Sequence, residues 1–591
     1  MTDPAPALDP PGRRAAALWR PALACFLLVL ACHLWRVGAP PMAGTEAFRA
    51  IPAHEMVQSG DWRLPTIFGE LYLTKPPGFP WMLAAAESLT GVADEWVWRS
   101  VSALASAALA ALLAVMAGRW FGHAAAWASG LGYMTLIGLW AQSRTAEIDA
   151  AMTLACVACA LCFVELGFGP RKRAWPWALA AALALAATLL IKFHQGLIVI
   201  GGAWLGATLA NGPWPPAGQP GQPRWKKLLR YARACPWRWM GRPSFWLALV
   251  GGVALFGLWA FVAWRAIQEL PHRPDLTGLD EAGSNTLNLE ALARALLVPI
   301  TLTAMSLPPA FALLLAPALC RRHDDEPPHR AALSRGLFGL IAASLLILVV
   351  NGVVNPRYGY IVLPFWALLA GRAADLWHRQ RLPDATRTLA RQLATGIVVG
   401  VPVGHLVVTA VAWPDSRQPI ALLLAAAAAL AVAFIGARLW IRQRLAHGAL
   451  AIVAAFALLS IPVGDIKSQA RWNRSAYRPA GEVRAIVREN PVGAEPRLIA
   501  FGMLRDKPEL FWYAGLPVTA RYHDHKADEG KPPIDRPGWY VLSWTEWRAL
   551  RDRFPQAEVY DDLFPQGVLM RHAPAEAAAS SEAGRGAVSS D

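Results

Sequence analysis

Residues able to do acid–base and phosphate chemistry crowd one stretch near the start of the chain. Gly44-Thr45-Glu46-Ala47-Phe48-Arg49 is followed by Ser59-Gly60-Asp61-Trp62, then Tyr72-Leu73-Thr74-Lys75-Pro76-Pro77, then Trp96, Trp98 and Arg99. Three later groups share this character: Arg144-Thr145-Ala146-Glu147-Ile148-Asp149, Lys192 with His194, and Asn355-Pro356-Arg357-Tyr358-Gly359-Tyr360. A phosphate held in a partly dehydrated place needs cations, and Lys75, Arg357 and Lys192 supply them. An acceptor hydroxyl needs a carboxylate base, for which Glu46 and Asp149 both qualify. Tyr72, Trp62 and Tyr360 suit stacking on a sugar ring. Plainer readings stand beside these. The first stretch also fits a solvated loop with interfacial tryptophans, and Asp149 fits a carboxylate at the positive end of a helix dipole. Glu147 and Asp149 are two residues apart, so on a helix end they point to different sides.

The elements that must position these residues are hydrophobic. Of 591 residues, 55% are hydrophobic and 16% charged, and the mean hydropathy is +0.32. A soluble domain is about 25% charged. The apolar residues fall in runs, so the chain reads as an α-helical polytopic membrane protein, and collagenous, disordered and disulfide-stapled classes are excluded. The net charge of +15 belongs to membrane topology rather than to nucleic acid, because surplus Lys and Arg collect in cytoplasmic loops. Cys156, Cys159 and Cys162 have a metal-like spacing, but Leu154 to Phe163 is apolar throughout and reads as membrane helix. No metal-ligand cluster stands out, and no cofactor is implied.

About thirteen spans are expected, near 18–36, 100–118, 123–141, 149–168, 175–191, 196–211, 244–266, 298–319, 335–353, 359–376, 394–413, 419–438 and 447–464. The pair 175–191 and 196–211 also reads as one long helix broken at Lys192, His194 and Gln195. Arg13, Arg14 and Arg20 precede the first span, and basic residues recur at 171–173, 224–242, 321–330, 379–391 and 442–444. With that count and the N-terminus inside, all these loops are cytoplasmic and the C-terminal region lies outside. Residues 1–12 are Pro-rich with no A-x-A-like cleavage site following, so the first span is expected to stay as an anchor. The organisation expected is a membrane domain 1–465 with a first outside loop 38–98, a small periplasmic α/β domain 466–573 and a disordered Ala/Ser/Glu/Gly tail 574–591. Strands are expected at Arg497–Phe501, Pro517–Tyr522, Trp539–Trp544 and Gly567–Arg571, and helices at Glu482–Glu489, Lys507–Tyr513 and Thr545–Phe554.

The stretch 44–99 resembles the first periplasmic loop of the GT-C membrane glycosyltransferases. More narrowly, it resembles the group of 4-amino-4-deoxy-L-arabinose lipid A transferases and protein O-mannosyltransferases. The matching residues are Glu46, Ser59-Gly60-Asp61-Trp62, Tyr72, Lys75-Pro76-Pro77 and Arg99, with Asp149, then Arg357, Tyr360 and Pro364, and Phe511-Trp512-Tyr513 before Pro517-Val518. The resemblance spans roughly 18–573. It implies an inverting transferase of the bacterial inner membrane. The donor would be a sugar on a polyprenyl phosphate such as undecaprenyl phosphate, and the acceptor a lipid such as lipid A, another glycolipid, a glycan or a protein. Lys75, Arg357 and Lys192 would hold the donor phosphate, Glu46 or Asp149 would act on the acceptor, and the C-terminal domain would cover the site or help bind the acceptor.

The departures lie on the acid–base side. The group's first loop carboxylate, which the family assigns as catalytic, is Thr45 here; another carboxylate of the loop is Thr74; and its compact Lys-Gly pair is spread out as Lys192-Phe193-His194-Gln195-Gly196. Two other outcomes therefore stay open. One is a lipid-sugar binding protein without transfer. The other is a transporter or flippase, which would show internal repeats; none is visible.

Overall fold

The computed structural model describes residues 11–168, 174–193, 201–202, 241–269, 289–323, 326–414, 419–441, 475–492, 496–501, 507–521, 537–565 and 567–572, with a few single positions between 455 and 472. The expected spans 196–211 and 447–464 lie for the most part outside these residues. So do His194, Cys235, the basic runs 171–173, 224–238 and 442–444, and the tail 574–591. The chain divides into two compact units: Met1–Val37, Thr74–Met82 and Trp96–Lys467 form the first, and Gly38–Leu73, Leu83–Glu95 and Ser468–Asp591 the second.

The first unit is helical, and this is a multi-pass membrane protein. Among the described residues, helices at Glu95–Trp120, Asp149–Gly167, Ala174–Ile191, Pro243–Gln268, His329–Val350 and Leu422–Leu439 are long and apolar enough to cross a bilayer, and Leu18–Leu34 and Gly400–Ala412 are shorter apolar helices. Two expected spans are broken. The span at 298–319 becomes Ala295–Met305 and Pro309–Cys320, bent by 103°. Pro308 and Pro309 lie at that bend and lack the N–H groups a continuous helix would use. The span at 123–141 becomes His123–Tyr133 and Ile137–Gln142. The turn between them is held by Met134, Thr135 and Leu136 donating to Leu131, Gly132 and Tyr133. The span at 359–376 opens as a 3-10 turn, Pro356–Val362, before the helix Leu363–His378.

Packing in this unit follows small and apolar residues. Cys159 and Cys162 sit buried with Phe163, Leu166, Ala178, Ala181 and Leu185. The outer side of Pro243–Gln268 exposes Trp246, Val250, Leu258, Phe261 and Trp264, as a helix facing lipid does. One buried charged cluster of this unit is paired throughout. Fully buried Arg372 donates to both oxygens of Glu326 and approaches Asp375, and Asp375 also takes Arg379 at 2.8 Å and Arg330 at 3.5 Å. Burial would raise the Glu326 carboxyl, but Arg372 and Arg330 outweigh that and hold it below its usual range.

Buried Arg99 and half-buried Arg144 secure the end of the first helix and the turn after it, where carbonyls lack partners within the helix. Arg144 donates to the Cys32 and Trp35 carbonyls, and Arg99 to the Val37 carbonyl at 2.9 Å.

The stretch expected as a loop, 38–98, is built of helices Ala47–Ser59 and Gly78–Thr90 and a hairpin of β1 (Thr66–Ile67) and β2 (Glu70–Leu71). Glu55 fixes the hairpin by accepting from the Thr66 hydroxyl and the Phe68 and Gly69 amides. The Ser-Gly-Asp of the loop motif ends the first of these helices. Ser59 donates to Glu55 O, Gly60 forms a left-handed cap that donates to Met56 O, and Asp61 accepts from the Arg63 amide and guanidinium.

The rest of the second unit holds a five-stranded sheet of order β4-β3-β5-β7-β6. The strands are β3 (Leu498–Phe501), β4 (Val518–Arg521), β5 (Gly538–Ser543), β6 (Glu558–Tyr560) and β7 (Gly567–His572). β3 pairs in parallel with β4 and β5, and β7 is antiparallel to β5 and β6. The four runs read as strands are β3, β4, β5 and β7. Tyr540, Leu542, Val568 and Met570 face Leu550 in one apolar cluster. The helix Trp544–Leu550 starts at a capping box in which Ser543 and Glu546 satisfy each other's amides. Ser543→Ala should weaken this helix by about 1 kcal/mol, speeding amide exchange at residues 544–550 in the full chain by about 5-fold. Unchanged exchange there would remove the cap from the account.

Candidate functional site

In the first unit, ionic side chains gather on the 3-10 turn Pro356–Val362. Asn355 starts that turn by accepting from the Arg357 amide at 3.0 Å. The turn aims the Arg357 side chain at the first residues of the Asp149–Phe168 helix. Arg357 Nε donates to Asp149 Oδ2 at 2.8 Å, and its Nη2 bonds to both Asp149 and Glu147. Burial disfavours the guanidinium charge, but the Asp149 hydrogen bond and the Asp149 and Glu147 charges outweigh it, so Arg357 is held firmly cationic. The sidedness expected of Glu147 and Asp149 is corrected here. Glu147 precedes the helix in a turn, so both carboxylates converge on one cation. Glu147 therefore belongs to the cluster, although the sequence reading gave it no role.

Lys192 is buried at the end of the Ala174–Ile191 helix, with its Nζ 4.1 Å from the centre of the Tyr358 ring. Two cations and two carboxylates thus meet around one turn. Tyr360, half-buried on the same turn, lies beside Gly138 and Leu363. Lys75 comes to the same unit through Gly78. A Cβ on Gly78 would lie 2.8 Å from the Leu190 carbonyl carbon and oxygen, a clash with backbone that only glycine avoids. Lys75-Pro76-Pro77-Gly78 therefore runs against the end of the helix that carries Lys192.

The second unit holds a separate polar group. The turn at Gly44–Thr45 leaves Thr45 exposed and Glu46 fully buried. Glu46 Oε2 accepts from the Ala43 amide at 3.1 Å, and its carbonyl accepts the first helical amides, of Arg49 and Ala50. Buried Arg49 donates to the Tyr72 hydroxyl at 3.0 Å, with its guanidinium 5.7 Å from the ring centre, and Tyr72 stacks on Phe48. Trp62 is half-buried just past the helix stop. The short helix Pro508–Ala514 packs here through Phe511 against Phe68 and Trp512 edge-on to His54, and His54 Nδ1 lies 2.6 Å from buried Glu87. Tyr513 donates to Glu95 and accepts from the Met42 amide. Glu509, on the same short helix, is 1% exposed. Burial, with the Glu46 charge adding to it, pushes its carboxyl above the usual range despite the pull of Lys507 at 3.6 Å. Sequence reading gave Glu509 no role; its only sign was a carboxylate directly before Leu510-Phe511-Trp512.

Of the eight candidate residues, Asp149, Arg357, Lys192, Tyr360 and Lys75 belong to the first unit, and Glu46, Tyr72 and Trp62 to the second. Among the described residues no group of three or more His, Cys, Asp or Glu side chains is arranged to hold a metal.

Residues 74–214 match the model of the family described as dolichyl-phosphate-mannose-protein mannosyltransferase. A search of the curated proteins gives no match. Among solved structures, the chain is similar to ArnT from Cupriavidus metallidurans. With its undecaprenyl phosphate complex it shares 18% identity and a TM-score of 0.62, over 94% of this chain and 98% of that one. The apo form gives a TM-score of 0.63 at the same identity and coverage. The chain has the fold of ArnT over nearly its whole length and resembles the GT-C membrane glycosyltransferases.

Removing one partner of a buried ionic cluster strands the others. Arg357→Ala should therefore lower unfolding stability in detergent by on the order of 3 kcal/mol, and adding Asp149→Asn and Glu147→Gln should recover most of it. A single variant as stable as the parent would show that the cluster does not hold the turn.

Proposed function

We propose that the chain is an inverting glycosyltransferase of the bacterial inner membrane. It takes a sugar from a polyprenyl phosphate and passes it to an acceptor on the periplasmic side: lipid A, another glycolipid, a glycan or a protein. The observation that supports this most is the ArnT-like fold over 94% of the chain, carried by a unit whose Lys192 and Arg357 flank Tyr358. That ArnT binds undecaprenyl phosphate is the support for a polyprenyl donor here.

In the reaction, the acceptor oxygen attacks the anomeric carbon from the face opposite the phosphate. The new C–O bond forms as the bond to the phosphate oxygen breaks, and that oxygen leaves with the electron pair. Lys75, Arg357 and Lys192 are the cations assigned to the charge that grows there. Arg357 is ion-paired with Asp149 and Glu147. A donor phosphate therefore competes with two carboxylates for it, and Lys75 and Lys192 carry the remainder. The acceptor proton goes to a carboxylate, Glu46 or Asp149. Asp149 is committed to Arg357, which favours Glu46 as the base. If the acceptor is itself a phosphate, its oxygen is already anionic and needs no base.

The second reading is a lipid-sugar binding protein without transfer, favoured by Thr45, a hydroxyl too weakly basic to replace a carboxylate. Purified protein given a labelled polyprenyl-phosphate sugar and membrane acceptors separates the two: transfer supports the first, tight binding without transfer the second. Lys75→Ala should lower transfer by about 10²–10³, as loss of one contact to developing charge does. Full activity in that variant would remove Lys75 from the donor site. Glu46→Gln should lower turnover by about 10²-fold, with Thr45→Asp restoring part of it. If Asp149→Asn alone is dead, the base is Asp149; if both are fully active, a phosphate acceptor is the better assignment. The basic loops support a topology with the region after Ile466 outside, so a reporter fused there should behave as periplasmic. A cytoplasmic signal would overturn that topology.

A further inference from the structure

The two ion pairs on Arg357 are unequal. Asp149 Oδ2 accepts from both Nε, at 2.8 Å, and Nη2, whereas Glu147 meets Nη2 alone. Asp149 opens the Asp149–Phe168 helix, where the helix dipole favours a carboxylate. Glu147 stands ahead of that helix and has one more rotatable bond. The backbone around it is held by other contacts. The Ser102 hydroxyl donates to the Glu147 carbonyl at 3.3 Å, the Met152 amide to the Ile148 carbonyl at 2.8 Å, and Arg144 to the Cys32 carbonyl at 3.0 Å. The Glu147 carboxylate can thus leave Nη2 by side-chain rotation while Asp149 keeps Nε and the turn stays in place. The Arg357 side chain is 30% exposed, against 10% for Glu147 and 6% for Asp149, so an anion reaches the guanidinium without unfolding the cluster.

Charge sets what replaces it. Arg357 and Lys192 face Asp149 and Glu147 around one turn, with Lys192 Nζ 4.1 Å from the centre of the Tyr358 ring. With Glu147 on Arg357 the cations and carboxylates balance. With Glu147 withdrawn, one positive charge is in excess, which matches the single negative charge of a phosphodiester. A phosphate monoester, at about −1.5 to −2 near neutral pH, is drawn to the same cations more strongly. Uncovered, the cations would therefore hold the phosphate left after transfer more tightly than the donor that enters. A tethered carboxylate corrects this. It competes at a fixed, high effective concentration, and its charge weighs more on a doubly charged phosphate than on a singly charged one.

We propose that Glu147 is an anion placeholder on Arg357: it covers Nη2 until a phosphodiester takes its place, and it returns to Nη2 to release a phosphate monoester. Resting on the glycosyltransferase reading, the diester is the polyprenyl-phosphate sugar. In transfer the bond from the anomeric carbon to the phosphate oxygen breaks, the oxygen keeps the electron pair, and the diester becomes the monoester. Glu147 exchanges no proton in this cycle. It is a positioning residue that acts through Arg357 and sets the preference of the site between donor and product. Asp149 stays on Nε throughout and keeps the guanidinium aimed.

The test compares Glu147→Gln with the parent as full chains in detergent. Glutamine keeps an oxygen for Nη2 and loses the charge. Binding of undecaprenyl phosphate should tighten by about 10-fold, an ordinary size for coupling between two competing groups. Undecaprenol, which has no charge, should bind both proteins alike, and Asp149→Asn should not share the gain. Equal or weaker binding of undecaprenyl phosphate by Glu147→Gln overturns the placeholder, as does an equal gain with undecaprenol or in Asp149→Asn. Glu147→Asp, shorter by a methylene, should gain in the same direction by less, and its failure to gain decides against the placeholder if Glu147→Gln does not fold. In transfer, the donor KM of Glu147→Gln should fall by only about 3-fold, because the diester carries about half the charge. Its kcat should fall as product release slows, and inhibition by added undecaprenyl phosphate should deepen by about 10-fold. A raised KM with unchanged product inhibition is the mark of a merely structural role and overturns the proposal. A separate arm reads thermal unfolding in inorganic phosphate against chloride at equal ionic strength. Phosphate should stabilise Glu147→Gln more than the parent, and adding Arg357→Gln should abolish the difference. No such difference overturns the placeholder whether or not the chain transfers sugar. The difference without transfer or undecaprenyl phosphate binding would instead sink the glycosyltransferase reading and leave the placeholder standing.

Discussion

The pairing of Arg357 with Asp149 and Glu147 is the constraint on which the first unit's polar chemistry depends. A charge among apolar helices is tolerated when opposite charge and hydrogen bonds replace the water it has lost. Arg357 meets this condition with Nε on one carboxylate and Nη2 on both. The consequences are local and definite. The turn Pro356–Val362 is tied to the start of the Asp149–Phe168 helix, Tyr358 is set under Lys192, and Tyr360 is directed to Gly138. The same pairing sets a chemical limit. A guanidinium already matched by two carboxylates is not a bare anion site, so phosphate recognition in this unit depends on how readily that match is exchanged.

The second unit, like the first, buries polar groups as well as apolar ones. Its buried polar groups are not all matched. Arg49 finds Tyr72, His54 lies against Glu87 and Glu55 takes three donors from the hairpin, yet both Glu509 oxygens and the Arg49 Nε have no hydrogen-bond partner among the described residues, Glu509 meeting only the Lys507 ammonium at 3.6 Å. Native proteins keep few such groups, and those they keep are often tied to function.

What was legible in the sequence was what local pattern determines. Long apolar runs gave the helices of the first unit, and β-branched or aromatic alternation gave β3, β4, β5 and β7. β6 is three residues long and more exposed, so it carried no such signal. The bend at Pro308–Pro309 was readable in principle from the missing N–H groups. The break at Met134–Leu136 was not, because no proline marks it. Sidedness was the least legible feature. Asp149 and Arg357 are separated by 208 residues, and no periodicity reports such a contact. A turn at Gly44 decides that Glu46 and not Thr45 is buried, and a two-residue step across a helix start, not along a helix, brings Glu147 beside Asp149.

The loop motifs that carry the resemblance have structural duties in this chain. Ser59-Gly60-Asp61 stops a helix, Lys75-Pro76-Pro77-Gly78 ends in a backbone contact that admits no Cβ, and Arg99 ties down the turn after the first helix through the Val37 carbonyl. These residues are constrained by geometry whatever reaction the frame hosts. The positions that depart from the group's pattern, Thr45 and Thr74, are both exposed. A motif can therefore persist because the fold requires it while the acid–base groups beside it change. In such a chain, motif matches report the scaffold. The reaction has to be read from which carboxylates the folded chain shields and which it pairs.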